Sequence, residues 1–232
     1  MLATDALSAA TTWRPQLFGD KRAQAIADPI IEPLWTGPRL LAFARAGGAT
    51  LTDADGEPID GRPEIEAALV EASGGATVLL EAVLTAEPIQ APVGIGGRDL
   101  VSVPKPAQAV TQMIVGSRGD RKDRIARHVE EAQKRQLAAS SEPLALVAVD
   151  LVWLDDESLC DVPLLERKRI LESVLVESEL VRVGIHVKPP IDAWLGSWRA
   201  FGFRRMAYKA ANSRYLPGVK NPDWALAEIP HR

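Results

Sequence analysis

The chain has 232 residues, of which 47% are hydrophobic and 25% charged, so it is long enough to bury one large core or two small ones. Its net charge is −4, which provides no overall basic field for nucleic acid, and its single cysteine excludes an internal disulfide framework and a zinc site built from several cysteines. No stretch approaches the roughly 20 apolar residues of a membrane-spanning helix. We therefore expect a soluble, cytoplasmic globular protein with no membrane partner.

Residues 1–28 are mixed in character and predict a short lead-in that packs on the following domain and carries no chemistry of its own. The pattern then predicts a strand over 40–45, a turn at Ala46-Gly47-Gly48 and a second strand over 49–52. Asp53-Ala54-Asp55-Gly56 predicts another turn. The later ligands of a calcium loop are missing after this string, so the turn is favoured over a calcium site.

Pro63 begins a predicted helix that runs to about Ala72, with acidic residues in its first turn and Gly74-Gly75 after its end. The apolar run over 77–84 follows and predicts a buried strand, although Glu81 lies inside it. A carboxylate in a buried strand needs a partner. Glu81 therefore either meets a partner in the core or points to water from a sheet edge.

Residues 86–118 are rich in proline and glycine and predict a surface excursion, interrupted by a short helix over 107–115. A helix to about residue 138 follows, and its basic residues could meet phosphates: Arg121, Lys122, Arg124 and Arg127. Acidic residues are interspersed with them, so a solvated helix face is the favoured interpretation.

The strongest predicted strand covers 144–154, and Cys160 after it is expected to be a small buried residue. A helix follows from residue 163, with its arginine and lysine residues expected opposite an apolar face made of Leu164, Leu165, Leu171, Val174 and Leu175. Residues 180–187 predict another strand. Pro189-Pro190 begins a helix that includes Trp194 and Trp198.

Residues 193–222 contain no acidic residue. They hold six basic residues, which are Arg199, Arg204, Arg205, Lys209, Arg214 and Lys220. Aromatic residues are interleaved with them: Trp194, Trp198, Phe201, Phe203, Tyr208 and Tyr215. Such a mixture can bind single-stranded nucleic acid by charge and stacking. Alternation along strands would instead bury most of the rings as core, and this is the favoured interpretation.

One short segment carries a family resemblance: Glu32-Pro33-Leu34-Trp35-Thr36-Gly37-Pro38-Arg39. It resembles the nucleotide-binding signature of ATP-dependent DNA ligases of the bacterial end-joining type, Glu-Pro-Lys-(Trp/Tyr)-Asp-Gly-x-Arg. The lysine that becomes adenylated in that family is replaced by Leu34, and the aspartate is replaced by Thr36. Leucine has no lone pair with which to attack the α-phosphate of ATP. Without its matching neighbours, Leu34 would be taken for an apolar residue entering a core strand.

Other segments resemble ligase motifs at the residues expected to build the fold, but differ from them at the residues expected to contact the nucleotide. Residues 148–155 resemble the ligase Phe-Asp-Leu-Leu strand, but Val149 replaces the aromatic residue that stacks on adenine. The helix start at 162–169 and the Ser-x-Tyr-x-Pro-Gly turn at 213–218 match closely. Arg204 takes the position of the family's metal-site glutamate, and the next residue, a glycine in the family, is Arg205. The Lys-x-Lys that grips the triphosphate is replaced by Leu226-Ala227-Glu228.

The resemblance covers roughly residues 28–226 and implies an α+β fold, the nucleotidyltransferase fold of DNA ligases and mRNA capping enzymes, with antiparallel sheets flanked by helices. It implies one such domain over 29–232, after the 1–28 lead-in, with no C-terminal oligonucleotide-binding (OB) domain. It also implies four cofactor-binding positions. In the family, the residue that corresponds to Glu32 contacts the edge of the adenine. The residue that corresponds to Arg39 contacts the sugar and phosphate. The residue that corresponds to Glu81 contacts the ribose or the metal. The residue that corresponds to Lys209 contacts the phosphate.

Two functions follow from the resemblance. The first is a ligase-like adenylation domain that is non-catalytic because of Leu34 and acts in DNA repair as a nucleotide-binding, DNA-binding or partner-protein module. The second is an active ATP-dependent DNA ligase or nucleotidyltransferase that uses another nucleophile or is completed by a partner chain. The family's cofactors are ATP and magnesium. For this chain the cofactor is left unassigned, and no catalytic residue or metal ligand is predicted.

Overall fold

Residues 5–86 and 144–230 are described by the structure, which is a computed structural model. The helices in these ranges are α1 (Ala6–Thr12), α2 (Pro63–Ala72), α3 (Leu164–Val174) and α4 (Asp192–Ala200), with a short 3-10 helix at Ala23–Ala25. The strands are β1 (Leu17–Phe18), β2 (Pro29–Pro33), β3 (Arg39–Arg45), β4 (Gly48–Asp53), β5 (Val78–Thr85), β6 (Ala145–Leu154), β7 (Glu157–Ser158), β8 (Val181–Val183), β9 (Arg205–Ala210), β10 (Lys220–Asn221) and β11 (Trp224–Glu228).

The strands form two main sheets. The larger has the order β4-β3-β5-β6-β7 and is antiparallel, with β8 added to β6 in parallel. The smaller has the order β11-β9-β2 and is antiparallel throughout. A two-residue parallel pairing joins β1 to β10. The architecture is the predicted α+β fold with antiparallel sheets and helices outside them.

The larger sheet is buried on both faces, and the alternation along β3 shows how. Leu40 and Ala42 point to the face that α2 covers, whereas Leu41 and Phe43 point to the face that α1 covers. α2 packs through residues spaced for one helix face: Ile65, Leu69 and Ala72. Each large apolar side chain buried in this way contributes about 1.5–3 kcal/mol. The lead-in is part of this core, because α1 buries Ala6, Ala9 and Ala10 in it.

The face of the larger sheet that α1 covers also packs against the smaller sheet, and most of the aromatic residues of 193–222 lie there. Trp198, Phe203 and Tyr215 are buried, and Trp194, Phe201 and Tyr208 are half-buried. Trp35 packs edge-on against Phe203, with ring centroids 4.9 Å apart. This confirms the core interpretation for these rings.

Local predictions in the described ranges agree closely with the structure. The β3–β4 hairpin, α2 and β6 lie where they were predicted. The Asp53 carboxylate closes the predicted turn by accepting hydrogen bonds from three following amides, at 2.8–3.0 Å. The strand predicted over 180–187 is shorter, because the chain leaves β6 after Gly184 and Val187 pairs instead with Ile31 in β2. The surface excursion and helices predicted between residues 87 and 138 lie outside the described ranges.

Candidate functional site

A small pocket lies where the two sheets meet. It is lined by Phe18, Glu32, Pro33, Leu34, Trp35, Arg39, Glu81, Val83, Val149, Ala207 and Lys209. All four residues proposed from the resemblance to bind a cofactor (Glu32, Arg39, Glu81 and Lys209) are therefore brought together in one wall. The free volume is about 30 Å³, which holds a few water molecules. A typical site for a drug-sized ligand has about 300 Å³ or more.

The pairing of β2 with β9 sets which side chains face the pocket. Glu32 lies opposite Ala207, and the amide of Leu34 donates to the carbonyl of Arg205 at 2.9 Å, so the pairing continues past the end of β2. Opposed residues in an antiparallel pair point to the same face. Leu34 consequently lines the pocket beside Glu32, at the position where the ligase signature has its lysine.

The turn after Leu34 returns the chain into the larger sheet. Gly37 has φ of +144°, and a Cβ built on it would lie 1.8 Å from the carbonyl oxygen of Leu84, so only glycine fits. This close approach starts β3 at Arg39, which is paired with Val83 on β5. The arginine side chain therefore reaches Glu81 on the neighbouring strand.

Glu32 is 5% exposed and lies between two lysines. Its carboxylate oxygens are 2.6 Å from Nζ of Lys168 and 2.8 Å from Nζ of Lys209. Burial alone would raise the pKa of Glu32, but the two ammonium groups outweigh burial and lower the pKa to about 2. Burial lowers the pKa of Lys209, whose Nζ also lies 4.1 Å from the ring centre of Trp224.

Glu81 is buried and bound from two sides. Arg39 donates to its Oε1 through Nε at 3.2 Å and through Nη2, and Tyr215 donates its hydroxyl hydrogen to Oε2 at 2.6 Å. Burial opposes ionisation of Glu81, but Arg39 and Lys209 overcome it and the pKa is lowered. Burial and the neighbouring Glu81 charge raise the pKa of Tyr215 well above its usual value. Glu81 is a core carboxylate with partners, which excludes the edge position.

The prediction that α3 turns its arginine and lysine residues away from the core is wrong for Arg167 and Lys168, which are both fully buried. Arg167 makes a two-pronged pair with Asp150, at 2.9 and 2.7 Å. Lys168 lies four residues after Leu164 and three before Leu171, so helical spacing places it on the apolar face. That spacing was the signal for Lys168 in the sequence.

A β-bulge in β6 places Val149 in the pocket. Asp150 pairs with Glu81 and Ala148 with Ala82, which leaves Val149 as the extra residue between them. Its carbonyl accepts a hydrogen bond from Nζ of Lys168 at 2.5 Å. The side chain at this position is aliphatic, so the pocket has no aromatic ring there.

The ion pairs around the pocket use up its charged groups. Three carboxylates (Glu32, Glu81 and Asp150) are paired with four cations (Arg39, Arg167, Lys168 and Lys209), which leaves one positive charge in excess. In a buried site this excess favours an anion over a cation. The arrangement can therefore attract a phosphate, but each cation must first exchange its present partner.

The magnesium ion of the family does not fit the residues that are present. Arg204, which the resemblance places at the family's metal-site glutamate, is an exposed cation just before β9. Glu81 is already bound by Arg39 and Tyr215. Within residues 5–86 and 144–230, no three His, Cys, Asp or Glu residues are grouped so that they could hold a metal ion.

Cys160 is half-buried beside the core, and burial raises the pKa of its thiol. In the described part of the chain, no helix is both long and apolar enough to cross a membrane.

Known proteins share this fold. No family profile matches the sequence. A DNA ligase of Methanothrix thermoacetophila is 30% identical over 90 residues, which cover 37% of this chain and 16% of that ligase. The crystal structure of the ligase domain from M. tuberculosis LigD is similar with a TM-score of 0.61 and 20% identity, over 94% of this chain and 60% of that one.

Two more ligase structures are similar. A mycobacterial DNA ligase D complexed with ATP and MES has a TM-score of 0.62 and 18% identity, over 92% of this chain and 59% of that one. A Lig E DNA ligase has a TM-score of 0.50 and 12% identity, over 94% and 68% of the two chains. This chain spans about three-fifths of the length of the two ligase D structures. The chain therefore has the nucleotidyltransferase fold of the ATP-dependent DNA ligase domains to which it is similar.

Proposed function

We propose that this chain is a ligase-like domain that does not adenylate itself and that acts in DNA repair as a module binding a nucleotide, DNA or a partner protein. The observation that carries the proposal is the place of Leu34. It lines the pocket next to Glu32, in the segment between β2 and β3 that resembles the ligase signature. Covalent transfer to the protein needs an amine at that point, and leucine cannot supply one.

The ion pairs of the pocket support the same conclusion. Phosphoryl transfer depends on cations that are positioned around the phosphates and on bound metal. Here Arg39 is held by Glu81 and Lys209 by Glu32, while Arg204 stands where a metal ligand is expected. The groups that would contact ATP instead pair with one another, Arg39 with Glu81 inside the larger sheet and Lys209 with Glu32 inside the smaller one. A structural and binding role fits this arrangement better than a catalytic one.

A second candidate function is an active nucleotidyltransferase with another nucleophile, and Lys209 is the residue that favours it. Its Nζ lines the pocket and burial lowers its pKa, which increases the fraction of neutral amine. The ion pair with Glu32 works against this, because it holds the amine in its charged form. In another version of this second candidate, a partner chain supplies the residues that complete the active site.

Labelling with ATP tests both candidates. We expect no labelled protein on a denaturing gel after incubation with α-labelled ATP and magnesium, alongside an active ligase that does become labelled. A labelled band would contradict the proposal. Lys209→Met and the matched Lys188→Met variant then locate the nucleophile, since Lys188 is an exposed lysine. Loss of the band in Lys209→Met alone would establish the second candidate.

A further inference from the structure

A short segment of the lead-in, residues 14–19, runs across one end of the pocket, and we call it the strap. Phe18 is its contribution to the pocket wall. The strap contains β1, which pairs over only two residues with β10. The lead-in was expected to carry no chemistry, so these contacts with the pocket are a property that the sequence did not indicate.

The strap holds Arg39. The backbone carbonyl of Gln16 accepts a hydrogen bond from Nη2 of Arg39, and the guanidinium carbon lies 5.3 Å from the ring centre of Phe18. The same nitrogen donates to Glu81. Arg39 is thus enclosed by a carbonyl, a carboxylate and an aromatic face. An anion that approaches Arg39 from the pocket finds these positions already taken.

The strap is fastened at a few points along one side. The carbonyl of Arg14 accepts from the amide of Gly218 at 2.8 Å, and the amide of Leu17 donates to the carbonyl of Val219 at 3.1 Å. The backbone amide of Gln16, a buried residue, donates to the hydroxyl of Tyr215 at 3.1 Å. These bonds are local, in contrast to the continuous ladders on both sides of β3. Most of the strap's hydrogen bonds go to one neighbouring segment, residues 215–224, and to Arg39, so the strap can open without unfolding the sheets.

Gly19 allows the strap to lie this close. A Cβ added to it would be 2.4 Å from the carbonyl oxygen of Asn221 and 2.9 Å from Cα of Pro222. Both contacts are with backbone, so a side chain at this position would force the two segments apart. Its amide donates to the carbonyl of Trp224 at 2.9 Å. Gly19 is consequently a close backbone contact of the strap that can be changed without altering a residue of the pocket.

We propose that the strap is a built-in cover of the phosphate side of the pocket, and that a nucleotide phosphate binds Arg39 only after the strap moves away. The proposal rests on the proposed function insofar as it takes the ligand to be a nucleotide. Arg39 keeps its hydrogen bond when the strap moves, because a phosphate oxygen replaces the Gln16 carbonyl as acceptor for Nη2. The free volume of about 30 Å³ then describes the covered state.

Amide hydrogen exchange tests the opening without any ligand. We expect the strap amides of Gln16, Leu17 and Gly19 to exchange through local opening, well before those of Leu41 and Phe43 in β3. Exchange of the strap amides only through global unfolding would overturn the proposal, because a cover that never opens admits no ligand.

Calorimetric titration with ADP, in the presence of a chelator, tests the effect on binding. Gly19→Ala pushes the strap outward and Phe18→Ala removes its ring, and we expect both to tighten ADP binding about tenfold or more, since the open fraction limits the apparent affinity. Leu17→Ala is the matched control, because this strap side chain is 46% exposed and is expected to leave the affinity unchanged. Phe18→Ala remains informative if Gly19→Ala does not fold.

The other outcomes count against the strap. Weaker ADP binding by Phe18→Ala would show that the ring is part of the ligand site. Unchanged affinity, or no ADP binding by any variant with accelerated strap exchange, would also overturn the proposal. A labelled band in the ATP assay would contradict the non-catalytic function instead, and it would leave the exchange and titration results intact.

Discussion

Glu32 is the residue on which the ion pairs of the pocket converge. Its carboxylate joins Lys168 of α3 to Lys209 of β9, and these elements are far apart in the chain. Removing one partner of such a buried pair typically costs about 3–5 kcal/mol, because the remaining charge stays in the core without a partner. The same residue is a candidate contact for an adenine base. A ligand that used Glu32 in this way would have to compete with two lysines.

The lowered pKa of Glu32 predicts how stability depends on pH. The folded-state pKa of about 2 lies below the ordinary value of 4.5, so the contribution is complete above pH 4.5 and is lost as the pH falls toward 2. The shift corresponds to about 3 kcal/mol. Urea unfolding at pH 6, 4 and 3 should therefore give a falling free energy of unfolding for the wild-type protein.

Two variants isolate that contribution. Glu32→Gln should have a lower free energy of unfolding at pH 6 and a shallower fall toward pH 3, because the ionised group is gone. Glu71→Gln, an exposed residue of α2, should retain the wild-type slope. The same slope in Glu32→Gln as in the wild type would show that the ion pairs with Glu32 do not control acid stability.

Among the elements, β9 and the residue before it carry two changes from the ligase pattern, Arg205 and Arg204. Arg205, Ala207 and Lys209 alternate on the face of the pocket, whereas Met206 packs in the core on the other face. Arg204 and Arg205 are exposed at the start of the strand, and within the described ranges neither guanidinium has a hydrogen-bond or ion-pair partner. Arg205 is opposite Leu34 in the backbone pairing, and Arg204 precedes it, so two exposed cations lie on this edge of β9.

This edge of β9 predicts weak, magnesium-independent binding of anions such as polyphosphate or a DNA backbone. Arg204→Gln with Arg205→Gln should weaken binding of a short DNA and reduce its salt slope by about 1–2, one unit for each lost phosphate contact. Arg45→Gln, at the exposed end of β3, is the matched control. Fluorescence titration over a range of salt concentrations, with and without chelator, provides the measurement. Binding that needs magnesium or ignores salt would contradict the prediction.

At the scale of the whole molecule, the positions at which this chain differs from the ligase motifs are distributed over several elements. Leu34 follows β2, Val149 lies in a bulge of β6, Arg204 precedes β9, and Leu226 and Glu228 belong to β11. Under the proposed function, each is a position where the resemblance implies a group that acts on the same transition state. Defects of this kind are not additive, so correcting one recovers little.

We therefore expect that Leu34→Lys, alone or combined with Thr36→Asp, does not restore self-adenylation. The new amine would have no bound metal beside it, because Arg204 repels magnesium, and Leu226 and Glu228 cannot hold the leaving pyrophosphate. Val149 removes the stacking of adenine, which is worth about 1 kcal/mol. The labelling assay on the double variant, after circular dichroism has confirmed its folding, provides the measurement. Ready adenylation would show that the lysine alone was missing.

Local chemistry was sufficient to predict much of the fold. Pro63 and Gly74-Gly75 bracket α2 because proline suits a first helical turn and glycine ends the last one. The glycine turn and apolar alternation marked the β3–β4 hairpin, and Glu32, Arg39, Glu81 and Lys209 were singled out by motif order before they were seen to meet. Their binding of a cofactor stays a prediction.

The amino-acid order determined the elements and the missing amine at Leu34, because both are properties of single residues and their neighbours. Only the tertiary structure decided what the charges do. Lys168 of α3 pairs with Glu32 of β2, and Arg39 of β3 pairs with Glu81 of the neighbouring strand β5, because folding brings separate segments together in a buried medium where a charge needs a partner. The position of the strap also depends on tertiary structure, since the pairing of β1 with β10 is what brings Phe18 to Arg39. Such pairings depend on the packing of distant segments, which local sequence patterns do not specify.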